Sequence, residues 1–177
     1  MKGKNNMNTN SHESIDYAIF PESKQAGYRL VHAQLKALIE NETQVIPNLA
    51  NASALLKLAL CDINWVGFYL IKNGELLLGP FQGKPACIHI PIGKGVCGTA
   101  VSLGKTMVVP NVHEFEGHIA CDSESNSEIV VPISVNGKIV GVLDIDSPVF
   151  NRFDDTDKEG LEEAARILAA GCNWQDY

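Results

Sequence analysis

Residues 127–146 read SEIVVPISVNGKIVGVLDID, in which two apolar, β-prone runs flank Asn136-Gly137. An Asn-Gly pair between two such runs is the strongest short-range signal for a β-hairpin with a two-residue turn. The same arrangement occurs earlier in the chain, where NWVGFYLIK (64–72) and ELLLGPF (75–81) flank Asn73-Gly74. The pattern predicts two antiparallel hairpins at the centre of a β-sheet.

Helical patterns lie outside the hairpins at both ends of the chain. Apolar residues recur at helical spacing in 23–41, 48–60 and 156–170, and Thr156 with Glu159 fits a capping box. Between the hairpins the sequence predicts a strand at 86–91, a helix at 95–104, a strand near 106–110 and a polar loop over 111–126. This order predicts an α+β domain, with the terminal helices on one face of a central antiparallel sheet and a ligand pocket on the other.

Composition limits the class of protein. The 177 residues suit one domain, and we expect a disordered tail over 1–12 followed by a single domain over 13–177. The formal charge of -7 argues against a nucleic-acid binder, which needs a basic face. No apolar run approaches the roughly 20 residues that span a bilayer, and the N-terminal residues lack the apolar segment of a secretory signal. We therefore expect a cytoplasmic protein with no membrane partner.

The five cysteines differ in their surroundings. An odd number of cysteines without an export signal argues against a structural disulfide framework. Cys61 and Cys172 follow apolar helices, where a free cysteine is usually a small buried hydrophobe. Cys121 instead lies in the polar loop HIACDSE, where a thiol has little to pack against. This setting is typical of a reactive cysteine.

Cys87 and Cys97 begin a predicted strand and a predicted helix. Together with Cys121 and the histidines at 89, 113 and 118 they suggest a zinc site, but their spacing lacks a Cys-x-x-Cys pair. Gly93, Gly95 and Gly98 match the dinucleotide-binding string, yet the surrounding hairpins do not provide the parallel βαβ unit which that motif requires. Both signals are therefore weak.

Two acidic residues interrupt an apolar strand. Asp144 and Asp146 share a face with Val142, because alternate residues of a strand point to the same side. Either the strand emerges into solvent there, or the two carboxylates line a pocket, where one would keep a proton and together they would attract an ammonium group. Trp65 and Tyr69 likewise share a strand face, as core residues or as part of a ligand cage.

The chain resembles the free methionine-(R)-sulfoxide reductases, a family built on a GAF domain. The resemblance extends from about Tyr17 to the final helix and rests on ordered motifs: WVGFYL (65–70), GPFQGKPACIHIPIGKGVCGTA (79–100), HIACD (118–122), SEIVVPI (127–133) and GVLDIDSP (141–148).

The resemblance implies an oxidoreductase that reduces free L-methionine-(R)-sulfoxide. It implies that Cys121 attacks the sulfoxide sulfur, that Cys87 resolves the resulting sulfenic acid, and that Cys97 can take part in disulfide exchange. It assigns substrate binding to Glu128, Asp144 and Asp146, with a pocket shaped by Trp65 and Tyr69. No bound cofactor is implied, because the reducing equivalents come from thioredoxin and ultimately from NADPH. The oligomeric state stays open, a homodimer included.

Two features conflict with this assignment. Asp122, Glu124 and Glu128 surround Cys121 in sequence, and negative charge disfavours a thiolate. In addition, a strict two-residue hairpin pairs Glu128 with Ile145 and places it on the face opposite Asp144. If Glu128 joins the aspartates, a bulge or a loop must intervene. The alternative function is a non-catalytic GAF module that senses a small ligand or redox state, which would normally accompany an output domain.

Overall fold

The computed structural model describes residues 20–21, 23–117 and 123–177. The predicted tail at 1–12 lies outside the described residues, as does Cys121. Four α-helices and six β-strands follow one another in the order α1 (Lys24–Ile39), α2 (Val45–Ala59), β1 (Trp65–Lys72), β2 (Glu75–Gln82), β3 (His89–Pro91), α3 (Gly95–Leu103), β4 (Met107–Val109), β5 (Ser127–Val135), β6 (Lys138–Ser147) and α4 (Asp155–Gly171).

The strands form one antiparallel sheet in the order β3-β2-β1-β6-β5-β4. Both predicted hairpins are confirmed. Asn73 and Asn136 have φ angles of 52° and 51°, and the glycine that follows each also has a positive φ. Two consecutive positive φ angles define the tight turn whose twist matches that of paired strands.

The helices α1, α2 and α4 cover one face of this sheet. Their buried apolar side chains pack against alternate residues of the central strands, among them Val66, Phe68, Ile129, Leu143 and Ile145. The short helix α3 packs on the opposite face, against a second apolar cluster that contains Trp65, Tyr69 and Val142. The predicted α+β class, with terminal helices on one face, is therefore confirmed. Among the described residues, no helix has both the length and the apolar character needed to cross a bilayer.

Several element boundaries differ from prediction. Helix α2 begins at Val45, three residues before the predicted start. Pro47 lies in its first turn, where proline is tolerated. Strand β3 begins at His89, so that Cys87 lies in the connection before the strand and does not begin it. The capping box of α4 is also not the predicted one. Asp154 and Asp157 form it, through reciprocal bonds between their side chains and backbone N–H groups.

Candidate active site

A β-bulge brings Glu128 onto the same sheet face as the two aspartates. The register between β5 and β6 shifts by one residue around Val140, so that Glu128 pairs with Asp146 and not with Ile145. Asp144 lies two residues along on the same face. A bulge is thus present, and three carboxyl groups meet on the face opposite the terminal helices.

Burial controls the protonation of these carboxyl groups. Glu128 and Asp144 are each 6% exposed. Burial raises the pKa of Asp144 to about 6, although hydrogen bonds from Cys97 and Glu128 oppose the shift. Burial, followed by the charges of Asp144 and Asp146, raises the pKa of Glu128 well above its usual range. Two carboxyl groups can share a hydrogen bond only if one carries a proton, and these directions place that proton on Glu128.

Asp144 also keeps an unused acceptor. Its Oδ1 atom is buried and finds no hydrogen-bond partner within the part of the chain that the structure describes. A buried acceptor without a partner costs free energy that a bound ligand can recover. This oxygen therefore identifies the acidic cluster as a place where a donor group can bind.

Cys97 is part of this cluster. It lies near the start of α3, as predicted, and the structure shows that it is buried. Burial raises the pKa of its thiol, and the charges of Asp144 and Glu128 raise it further. Its sulfur and the oxygens of Glu128 and Asp144 lie within 4.8 Å of one another, so that these described residues could also hold a metal ion such as zinc. Such an ion would have to displace the protons that the thiol and Glu128 retain.

Three stacked aromatic rings form an apolar wall beside the acids. The ring centroids of Trp65 and Phe81 are 5.3 Å apart, and those of Trp65 and Tyr69 are 6.0 Å apart. Trp65 pairs with Asp146 across β1 and β6, which places the wall next to the carboxyl groups. Gly67 gives the indole its space, because a Cβ atom there would lie 2.6 Å from the Trp65 Cη2 atom.

Cys87 lies over the same apolar cluster. Its side chain is half-buried and packs against the group that includes Trp65, Tyr69 and Cys97. Trp65 Nε1 donates to the Lys84 carbonyl oxygen at 3.1 Å, and the Tyr69 hydroxyl donates to the Cys87 carbonyl oxygen at 3.0 Å. The structure therefore brings Cys87, Cys97, the acids and the aromatic residues to one sheet face.

The loop that carries Cys121 is described only at its ends. The Val112 N–H donates to the Asn126 carbonyl oxygen at 3.0 Å, which closes the base of the loop. The Asn126 side chain bonds to His113 Nε2 at 2.9 Å and donates to the Pro148 carbonyl oxygen at 2.8 Å. Sequence reasoning missed Asn126, because one asparagine in a polar loop carries no distinguishing signal.

An ion pair joins the connection that carries Cys87 to the segment that follows Cys121 in sequence. Lys84 Nζ lies 2.7 Å from Glu124 Oε2, and both side chains are exposed. Lys84 precedes Cys87 by three residues, and Glu124 follows Cys121 by three. Nothing in the local sequence predicts this pair, since it depends on the folded positions of two separate connections.

The remaining cysteines lie apart from the apolar cluster of the site. Cys61 is exposed, so the prediction of a buried residue is wrong for it: α2 ends at Ala59, and Cys61 lies in the bend that follows. Cys172 is half-buried beyond the end of α4, where Asn48 Nδ2 lies 3.4 Å from its sulfur. Burial raises the pKa of the Cys172 thiol.

The sheet, its helix-covered face and the polar cluster on its other face define a GAF domain, and the GAF domain model matches residues 34–171. The free methionine-R-sulfoxide reductase of Escherichia coli is 50% identical over 155 residues, which are 88% of this chain and 94% of that protein. The reduced form of Staphylococcus aureus fRMsr is 60% identical, with a TM-score of 0.80 over 82% of this chain and 95% of that one. The Neisseria meningitidis free methionine-R-sulfoxide reductase, solved in complex with its substrate, is 46% identical, with a TM-score of 0.85 over 89% of this chain and 96% of that one. The chain therefore belongs to the GAF-domain family of free methionine-R-sulfoxide reductases, which confirms the resemblance.

Proposed function

We propose that the chain is an oxidoreductase that reduces free L-methionine-(R)-sulfoxide to methionine. The observation that carries this proposal is the convergence of Glu128, Asp144 and Asp146 on one sheet face, beside the aromatic wall. The names of the relatives supply the substrate and its stereochemistry, which the geometry alone does not specify.

The acidic cluster suits the polar ends of a free amino acid. A carboxylate can pair with the substrate α-ammonium group, which would be an uncharged amide inside a peptide. A site that pairs with this charge rejects peptide-bound methionine sulfoxide, because its buried acids would then lack a partner. Trp65 and Tyr69 offer an apolar surface to the substrate methyl and methylene groups.

The proton retained on Glu128 suits the sulfoxide oxygen. A sulfoxide is a poor electrophile until its oxygen is protonated or strongly hydrogen-bonded, and Glu128 can act as that general acid. The Cys121 thiolate attacks the sulfoxide sulfur, the oxygen passes to Cys121, and methionine leaves. The substrate sulfur gains two electrons and the Cys121 sulfur loses two, which leaves a sulfenic acid. The proton of the original thiol replaces the one that Glu128 supplied.

Recycling requires a second thiol and an external reductant. The Cys87 thiol attacks the sulfenic acid sulfur, a Cys87–Cys121 disulfide forms and water leaves. We assign this step to Cys87 and not to Cys97, because Cys97 is buried beside acids that disfavour its thiolate. A dithiol reductant such as thioredoxin, itself reduced at the cost of NADPH, then restores both thiols by exchange. Cys97 can enter that exchange as a secondary acceptor.

The test is methionine release from the separated R and S forms of free methionine sulfoxide, with dithiothreitol or thioredoxin as reductant. N-acetyl-methionine sulfoxide serves as the matched substrate without an ammonium group. We expect release from the free R form only, and none from Cys121→Ser. A folded, fully reduced protein that releases no methionine from either form would favour the ligand-sensing alternative.

A further inference from the structure

The connection over 83–88, which carries Cys87, has no regular secondary structure. It is bonded to the sheet at its far end, where the Leu78 N–H donates to the Ile88 carbonyl oxygen at 2.9 Å. Along its length, Trp65 Nε1 and the Tyr69 hydroxyl donate to carbonyl oxygens of the connection. Two side chains from β1 therefore hold a segment that is not part of a β-strand.

Tyr69 is a rigid donor. Its side chain is 1% exposed and lies on β1, which is paired on both sides by β2 and β6. Stacking against Trp65 fixes the plane of its ring. Its hydroxyl reaches the carbonyl oxygen of Cys87 itself, at 3.0 Å. This bond sets where the Cα atom of Cys87, and thus its thiol, lies over the site face of the sheet.

We propose that Tyr69 is a positioning residue for the resolving thiol, a role separate from the contribution of its ring to the pocket. This inference rests on the proposed role of Cys87. In the step concerned, the Cys87 thiol attacks the Cys121 sulfenic acid, the S–O bond breaks, an S–S bond forms, and the thiol proton leaves with the hydroxyl group as water. Fixing the Cys87 backbone makes the encounter of the two sulfurs more frequent, because less conformational freedom is lost on reaching contact.

The test is Tyr69→Phe, which keeps the stacked ring and removes only the hydroxyl. Reduced protein is mixed with substrate in the absence of reductant. Methionine formation and the loss of dimedone-reactive sulfenic acid are then followed separately by rapid quench. We expect the lifetime of the sulfenic acid to lengthen by about three- to tenfold, the range that corresponds to one lost hydrogen bond. Methionine formation should slow by less.

Tyr28→Phe is the matched control. The Tyr28 hydroxyl is also buried and donates to an acid, Asp157 Oδ1 at 2.9 Å, but it lies among the helices on the opposite sheet face. We expect no change in the lifetime of the sulfenic acid in this variant. Melting temperatures of both variants show that the proteins compared are folded.

Three results would overturn the inference. The first is an unchanged lifetime in Tyr69→Phe while Cys87→Ser lengthens it, which leaves the proposed function intact. The second is equal slowing of both half-reactions in Tyr69→Phe, which would assign the hydroxyl to substrate binding. The third is no effect of Cys87→Ser on this lifetime, which would remove the resolving role from Cys87. Failure of the proposed function itself would instead appear as no methionine formed by the parent protein.

Discussion

A carboxyl group buried at neutral pH pairs with a cation or keeps a proton. For Glu128, burial and two neighbouring acids all act in the same direction, and its hydrogen bond with Asp144 requires a proton. Their different surroundings give the two carboxyl groups different pKa values, so that Glu128 acts as proton donor and Asp144 as acceptor. This is the usual way in which a protein obtains a general acid from ordinary side chains.

Glu128→Gln tests the general acid. Without a transferable proton, we expect kcat/KM for the free R-sulfoxide to fall by about 10²- to 10⁴-fold, the usual contribution of general acid catalysis. Stability should be unchanged or higher, since a buried acid in a repulsive cluster is replaced by a neutral amide. Glu159→Gln, on the exposed surface of α4, is the control and should retain activity. An active Glu128→Gln enzyme would remove the acid from the mechanism.

Asp144 predicts a pH dependence of stability. Its pKa rises from 3.8 to about 6 on folding, chiefly through burial, so that the folded state binds the proton more tightly than the unfolded state. The free energy of unfolding that comes from this tighter proton binding is fully present below about pH 4 and is lost as the pH rises through 6. Asp144→Asn should remove this loss, on the order of 1–3 kcal/mol between pH 4 and pH 8. Urea unfolding of both proteins at the two pH values measures it, and parallel changes in the two proteins would refute it.

At the level of elements, the sequence predicts the hairpins correctly but not their register. The Asn-Gly pairs and apolar runs are local signals, and the structure has a tight turn and paired strands at each of them. The bulge at Val140 depends on how β6 packs between β1 and β5, which no local pattern encodes. The capping box of α4 is a second case. The sequence predicts it at Thr156, but the structure has it at Asp154, where the Asp157 side chain is also held by a hydrogen bond from Arg152.

Gly141→Ala tests the close approach of β6 to β1 beside the bulge. A Cβ atom at this position would lie 2.4 Å from the Tyr69 carbonyl oxygen, which is backbone and cannot move aside cheaply. We expect a loss of stability of about 1–3 kcal/mol, as for other overpacked core positions, together with reduced kcat. Denaturant unfolding and steady-state kinetics measure the two effects.

Gly27→Ala in α1 is the matched control. The nearest atom to its added Cβ is 3.8 Å away, so the substitution meets no obstacle. Because alanine favours a helix, stability should rise by about 0.5–1 kcal/mol with unchanged kcat. Equal destabilisation by both substitutions would contradict the argument from packing.

For the whole molecule, the sheet separates a stabilising face from a reactive one. Asp157 is fully buried on the helical side, where it accepts hydrogen bonds from Tyr28, Lys24 and Arg152. This network joins α1, α4 and the connection after β6. It lies on the other side of the sheet from the acidic cluster, so that stability and chemistry should be separable by mutation.

Asp157→Ala should destabilise the protein by about 2–4 kcal/mol, because it leaves the buried Tyr28 hydroxyl and the largely buried Arg152 side chain without their acceptor and removes the capping box of α4. The kcat of the remaining folded protein should be close to that of the parent, measured well below the melting temperature. Asp155→Ala, exposed in the same helical turn, is the control and should change stability little. A strong loss of kcat in folded Asp157→Ala would show that the two faces are coupled.

The overall architecture and the set of residues on the site face follow from sequence, through strand periodicity and the family motifs. The protonation states of Glu128 and Asp144 cannot be predicted from sequence, because they depend on burial and on distances between strands. The exposure of Cys61 and the ion pair between Lys84 and Glu124 likewise depend on tertiary structure. Local patterns thus identify candidate groups, and the fold determines which of them can react.

The central claim is that a thiol pair in this chain carries the two electrons that reduce the sulfoxide. The most direct test is a single turnover of fully reduced protein with free methionine-(R)-sulfoxide and no reductant, followed by quantification of methionine and mapping of disulfide-linked peptides. The account predicts one methionine per chain and a disulfide between Cys87 and Cys121. Methionine release without loss of thiols, or a disulfide that excludes Cys121, would contradict it.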